Sequence, residues 1–172
     1  MRLSAPGPYP GHVDLFDAKS RVAKALVESI FRRARFDVHP LRTESGPMRI
    51  GGEDISPDFS VTRHDGAGGA RLLAVWYRTS VEQFVAVEAR RAERSTFALA
   101  RRQWPAVRFV LVTDRPEPGR SCFQALPADQ TLSGAPIHTA DLVDAQELEI
   151  FSHNISDHEQ LLRRILRLLA EV

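Results

Sequence analysis

Apolar residues recur at helical spacing early in the chain. Val22, Leu26 and Ile30, joined by Ala23, Val27 and Ala34, predict a helix from about Ala18 to Arg35. Residues 1–17 carry Pro6, Pro8 and Pro10 and read as an extended lead-in. Phe36–Leu41 reads as a first strand, followed by a weakly structured connection marked by Gly46-Pro47 and Gly51-Gly52. Phe59–Arg63 and Arg71–Arg78 read as two strands, and the His64–Gly69 turn between them predicts a hairpin. Ser80 and Gln83 form a capping-box pattern that opens a long helix to about Arg102, with Pro105 helping to end it. Arg108–Thr113 is a compact apolar run, as in a buried strand. Pro116, Pro118 and Gly119 mark a loop. One or two short strands fit around Phe123–Leu126 and Ile137–Leu142. Ser156 and Glu159 form a second capping-box pattern ahead of Leu161, Leu162, Ile165, Leu166, Leu168 and Leu169, an amphipathic tail helix.

The expected fold is α/β: one domain over residues 18–172, with a mixed central sheet flanked by helices. A βαβ crossover through the long helix would make part of the sheet parallel. A length of 172 residues suits one domain with a real core. Hydrophobic residues make up 43% and charged residues 26%, both ordinary for a globular chain. No apolar run approaches the roughly 20 residues that span a bilayer. The N-terminal MRLSAPGPYPGH has Pro and Gly where a signal peptide needs an apolar stretch, so the expectation is a cytoplasmic protein without a membrane partner. Cys122 is the single cysteine, which removes intrachain disulfides and cysteine-based zinc sites. The net charge of +1 lacks the whole-chain basic bias of a nucleic-acid coat, so nucleic-acid contact would need a local patch. Lys19 and Lys24 are the only lysines, which restricts the available catalysts.

Three short motifs occur in order. The first is Glu28 in AKALVESIFRRARF, the second Ser56-Pro57-Asp58-Phe59, and the third falls in Leu72-Leu73-Ala74-Val75-Trp76-Tyr77-Arg78. With the hairpin between the last two, the set resembles the core of the PD-(D/E)xK, or restriction-endonuclease-like, nuclease superfamily. The resemblance covers roughly residues 18–114. It implies a restriction-endonuclease-like fold and a nucleic-acid phosphodiester as substrate. Such hydrolysis needs a divalent cation to polarise phosphate and generate hydroxide. Hard cations take oxygen ligands, so two acids must converge. A lysine then orients the water and offsets transition-state charge. The family places one acid at the start of the hairpin. The second acid and the lysine lie two residues apart on the second hairpin strand, so that both face one side.

The chain departs from the family there. With Tyr77-Arg78 at the basic end of the third motif, the acid position is Ala74 and the lysine position is Trp76. Ala74 has no oxygen for a metal, and Trp76 is bulky enough to fill the space of a metal–phosphate complex. No acid occurs anywhere in residues 66–81, so sliding the register does not restore the motif.

Each candidate has a plainer reading beside it. Asp58 after Pro57 is a vestigial metal ligand or a turn aspartate. Glu28 shares a polar helix side with Arg21, Lys24, Arg32 and Arg35, and either pairs along the helix or faces the degenerate pocket. Lys24, one turn before Glu28, could supply the missing ammonium from the helix. Glu88-Ala89-Arg90 has the spacing of an acid–basic pair, but two-residue spacing on a helix points side chains apart. Arg90, Arg91 and Arg94, interleaved with Glu82, Glu88 and Glu93, are a mixed exposed face or a phosphate-contacting stripe. Arg78 could contact phosphate or pair with an acid. The leucine-rich tail packs on the sheet or forms a homodimer interface.

The leading expectation is a non-catalytic nuclease-fold protein that binds nucleic acid or a protein partner, with Arg78, Arg90, Arg91 and Arg94 as phosphate contacts and no cofactor. The enzymatic alternative is a divergent Mg²⁺-dependent nuclease using Glu28, Asp58 and Lys24, with Asp58 and Glu28 on the metal. The third is a structural or assembly subunit without nucleic-acid binding.

Overall fold

The structure is a computed structural model that describes residues 14–41, 48–50 and 53–171. Asp14 starts the first helix, α1 (Leu15–Arg33): its carboxylate accepts from Phe16 N at 3.0 Å. The helix therefore begins before Ala18 and takes in the end of the expected lead-in; the rest of the lead-in lies outside the described residues. It stops at Ala34 and Arg35, where Arg35 adopts φ +65° and the chain turns into strand β1 (Phe36–Pro40). This left-handed position after a helix usually falls to glycine.

Strands β2 (Met48–Ile50) and β3 (Glu53–Ile55) pair antiparallel as a separate two-stranded sheet. The expected weakly structured connection thus holds a short antiparallel pair; Gly46, Pro47, Gly51 and Gly52 lie outside the described residues. Strands β4 (Phe59–Arg63) and β5 (Arg71–Tyr77) form the expected hairpin.

The long second helix is two helices. Ser80 caps α2 (Val81–Arg91) by accepting from Gln83 N, as its sequence pattern predicts. The chain then breaks at Ala92, φ +50°, passes a 3-10 turn, and restarts as α3 (Thr96–Gln103). Glu88 explains the break. Its side chain is buried and its carboxylate accepts from Thr96 N and from Arg91 Nη1, so it caps the start of α3 from within α2. Glu88 is therefore a folding device, and Arg90, two residues on, takes no part in it.

Strand β6 (Val107–Val112) pairs parallel with β5, which realises the expected crossover. Strands β7 (Phe123–Ala125) and β8 (Ala140–Asp141) complete a six-stranded mixed sheet in the order β1-β4-β5-β6-β7-β8. Helix α4 (Ser152–Ala170) starts earlier than the Ser156–Glu159 pattern suggests. Asn154 Oδ1 accepts from Phe151 N at 2.9 Å, and this cap sets the start. Glu159 instead turns inward to accept from Ser121 Oγ and from Cys122 N, tying α4 to the sheet.

These elements make one α/β domain with two cores. Helices α1 and α4 cover one sheet face with Leu73, Val75, Tyr77, Val110 and Val112. Helices α2 and α3 cover the other with Ala74, Trp76, Phe109 and Leu111. The split follows from the two-residue alternation of β5 and β6. Among the described residues no helix is long and apolar enough to cross a membrane.

Replacing Glu88 by Ala leaves the Thr96 N–H buried without its acceptor, which should cost about 1–3 kcal/mol in urea denaturation. Glu88→Gln keeps an acceptor and should cost less. An unchanged midpoint for Glu88→Ala would rule out this role.

Candidate functional site

Asp58 sits between three strands. Its N–H donates to Leu73 O at 2.7 Å and its carbonyl accepts from Leu41 N at 3.0 Å. Pro57 ahead of it cannot extend the ladder as a donor. The paired register of β4 with β5 ends at Phe59 opposite Leu73. Beyond that end, Asp58 Oδ2 accepts from Val75 N at 2.7 Å. The side chain thus takes an N–H that a longer strand would have paired.

The other oxygen faces α1, where Lys24 Nζ lies 2.8 Å from Asp58 Oδ1. The carboxylate is largely buried, 14% exposed, while the lysine is 42% exposed. Burial pushes the Asp58 pKa up; Lys24 and the Val75 N–H pull against it, and burial prevails. Both oxygens therefore have a donor from the chain itself.

A second polar group lies farther along the same face of β5. Tyr77 Oη donates to Asp114 Oδ1 at 2.7 Å. Lys19 Nζ lies 3.4 Å from Tyr77 Oη and 3.7 Å from Asp114 Oδ2, with Lys19 and Asp114 each only 14% exposed. Burial, reinforced by Asp114, raises the Tyr77 pKa and keeps the phenol protonated. Val75 and Tyr77 are two residues apart, so these clusters are neighbours on one strand face. Both lysines of the chain are thus spent on carboxylates at the α1–sheet seam.

The expected motif positions lie elsewhere. Ala74 and Trp76 point to the α2–α3 side, away from Lys24 and Asp58. Trp76 packs against Phe84, Phe97 and Phe109 with ring centroids 6.1, 5.3 and 5.0 Å away. The indole therefore fills a core, not the space beside Asp58. The β5 residues on the Asp58 side are Leu73, Val75 and Tyr77, one position out of the expected register. None of these carries a carboxylate or an ammonium.

Glu28 does not join Asp58. It accepts from Arg32 Nε at 3.0 Å and Nη2 at 2.8 Å, and Arg32 Nη2 also donates to Val38 O. The i,i+4 pair draws Glu28 toward β1. Arg78 stacks its guanidinium over the Phe84 ring at 4.4 Å, with Trp76 and Phe16 within 6 Å. Arg91 pairs with buried Glu88, and Arg90 and Arg94 are exposed.

The donors present do not fit a hard divalent cation. Asp58 has one donor on each oxygen, an N–H and an ammonium, Glu28 is held by Arg32, and β5 adds no oxygen-bearing acid. Among the described residues no three His, Cys, Asp or Glu side chains converge in a metal-binding group. Lys19, Tyr77 and Asp114 escaped sequence reasoning; the scarcity of lysine was the one signal that pointed at Lys19. Comparison of the chain with protein-family models, curated proteins and solved structures finds no match.

Lys24→Met should raise the Asp58 pKa further, since it removes a group that lowers it. It should cost about 1 kcal/mol of stability at neutral pH, discounted for the exposed lysine. The cost should shrink as pH falls through the Asp58 titration range, because a protonated carboxyl no longer needs the cation. Carboxyl carbon shifts of Asp58 and denaturation at two pH values check both statements. An Asp58 pKa that stays put, or a cost that grows in acid, would contradict them.

Proposed function

We propose that the chain is a restriction-endonuclease-like scaffold that binds nucleic acid without cutting it. The carrying observation is that Lys24 and the Val75 N–H each engage one oxygen of Asp58, with no second carboxylate beside it. In the resembled nucleases this acid at the head of the hairpin serves the metal. Here an ammonium from α1 meets it instead. The element order along residues 15–112 supports the scaffold reading: helix, strand, hairpin, helical crossover and apolar strand follow as the resemblance implies. Glu28, committed to Arg32, weighs against the divergent Mg²⁺-dependent nuclease.

Phosphate contact is assigned first to Arg90 and Arg94, which are exposed and make no hydrogen bond or ion pair among the described residues. Arg91 retains an exposed guanidinium beside Glu88, and Arg78 presents a cation within an aromatic frame. A second reading, assembly with a partner protein or a second copy, rests on Leu161 and Leu168 of α4, which are 44% and 54% exposed.

Fluorescence anisotropy with duplex, branched and single-stranded DNA tests the binding. Affinity should fall steeply with salt, and Arg90→Ala with Arg94→Ala should reduce the log–log salt slope by about 0.9 per lost phosphate contact. No product should form with Mg²⁺ or Mn²⁺. Cleavage abolished by Asp58→Ala would establish the nuclease instead, and a dimer without nucleic-acid affinity would favour assembly.

A further inference from the structure

The sheet end opposite Asp58 holds a cavity that the nuclease resemblance does not address. It lies where α1 turns into β1 and β4 ends, roughly 16 Å along β4 from Asp58 at strand rise. Its volume is about 430 Å³, within the usual range of small-molecule sites.

Three independent features converge on it. The first is backbone strain. Only three non-glycine residues have positive φ among those described, and two of them, Arg35 at +65° and Glu149 at +55°, line this cavity. Left-handed backbone at non-glycine residues is costly and concentrates at sites with a task. The second is an unequal division of charge. Arg63 is held by Asp65, at 2.8 and 3.1 Å, and by Glu149 Oε1. His64 pairs with Asp37 at 3.2 Å. Arg35 is exposed, and its side chain makes no hydrogen bond or ion pair among the described residues. Of the cations at the rim it alone lacks a carboxylate. The third is an unmet acceptor beside an open aromatic face. Glu149 Oε2 is enclosed and has no hydrogen-bond partner. Phe151 is 61% exposed and stacks parallel to His153, its centroid 5.9 Å away.

A ligand that completes this wall needs an anion, a flat ring and a donor on that ring. We infer that the cavity formed by Arg35, Glu149 and Phe151 binds a nucleotide whose base carries an amino group. The phosphate pairs with the Arg35 guanidinium. The base lies on Phe151. The base amino group donates to Glu149 Oε2, and the carboxylate turns about its soft terminal torsion to meet it, loosening the Oε1 contact with Arg63 while Asp65 still holds that guanidinium. Arg63 pairs with both Asp65 and Glu149, and the charges of Arg63 and Arg35 together balance the two carboxylates, so the wall carries no net negative charge against the phosphate. The same chemistry is offered by a free mononucleotide and by the end of a strand. The inference stands on this cavity and does not depend on the scaffold reading.

Calorimetric titration of the full chain with cytidine monophosphate, uridine monophosphate, cytidine and inorganic phosphate tests it. Cytidine monophosphate should bind saturably. Uridine monophosphate, which lacks the amino donor, and cytidine, which lacks the phosphate, should each bind about tenfold more weakly. Arg35→Gly should lower the affinity by about the same factor while the melting temperature holds or rises, because glycine suits the left-handed position. Phe151→Ala, at an exposed ring, should weaken binding without unfolding. A 5′-phosphorylated oligocytidylate that binds more tightly than the mononucleotide assigns the site to a strand end. Loss of binding on extension assigns it to the free nucleotide. No saturable binding at millimolar nucleotide would overturn the inference. So would equal affinity for the cytidine and uridine nucleotides, or affinity unchanged in both variants.

Discussion

A buried carboxylate needs a partner, and at the head of β4 that partner is an ammonium carried by a helix. Asp58 accepts from Val75 N on one side and meets Lys24 on the other. Removing either partner would leave a largely buried charge uncompensated, and this costs more than the pair itself contributes. The pair also fixes how α1 lies over β5, since Lys19 makes a parallel tie to Asp114 and Tyr77. Two polar ties beside an apolar core hold one helix to one strand face. The same ties consume the cations and acids that a hydrolytic site would have to leave free.

The α/β architecture was legible because two near-continuous apolar runs, β5 and β6, flank a capped helical segment, the pattern of strands covered on both faces. Leu73, Val75 and Tyr77 serve one core while Ala74 and Trp76 serve the other, and the run Arg108–Thr113 shows no polar face because β6 is covered on both. The second helix was misread for a specific reason. Its charge pattern continues through Ala92, and the break depends on a buried carboxylate, Glu88, reaching a backbone N–H eight residues on. Such a tertiary cap leaves no periodic trace. The start of α4 differs from the Ser156–Glu159 pattern because the cap that forms lies five residues earlier, where Asn154 accepts from Phe151 N and no Ser, Thr, Asp or Asn stands at the cap position to mark it.

At the site, Asp58 and Lys24 were legible as individuals, and the notion that Lys24 could serve the pocket came from its one-turn spacing to Glu28, not from any link to Asp58. Their meeting required the helix to be placed. The register of β5 was not legible: an apolar strand buried on both faces gives no hint which parity faces α1. Trp76 looked like a plug at the acid because its bulk was visible and its direction was not. The Arg35–Glu149 cavity was invisible for another reason. It depends on two left-handed residues brought together from distant parts of the chain, and neither is a glycine that would mark such a conformation.

The central claim is that an internal ammonium occupies the cation position at Asp58. Titration with Mn²⁺, read from paramagnetic broadening of the Asp58 and Glu28 carboxyl carbons, tests it most directly. Both signals should stay sharp at millimolar Mn²⁺, with Asp58 still paired with Lys24. Selective loss of the Asp58 and Glu28 signals together at submillimolar Mn²⁺ would contradict it, because the two carboxylates would then share a metal that the lysine has failed to exclude.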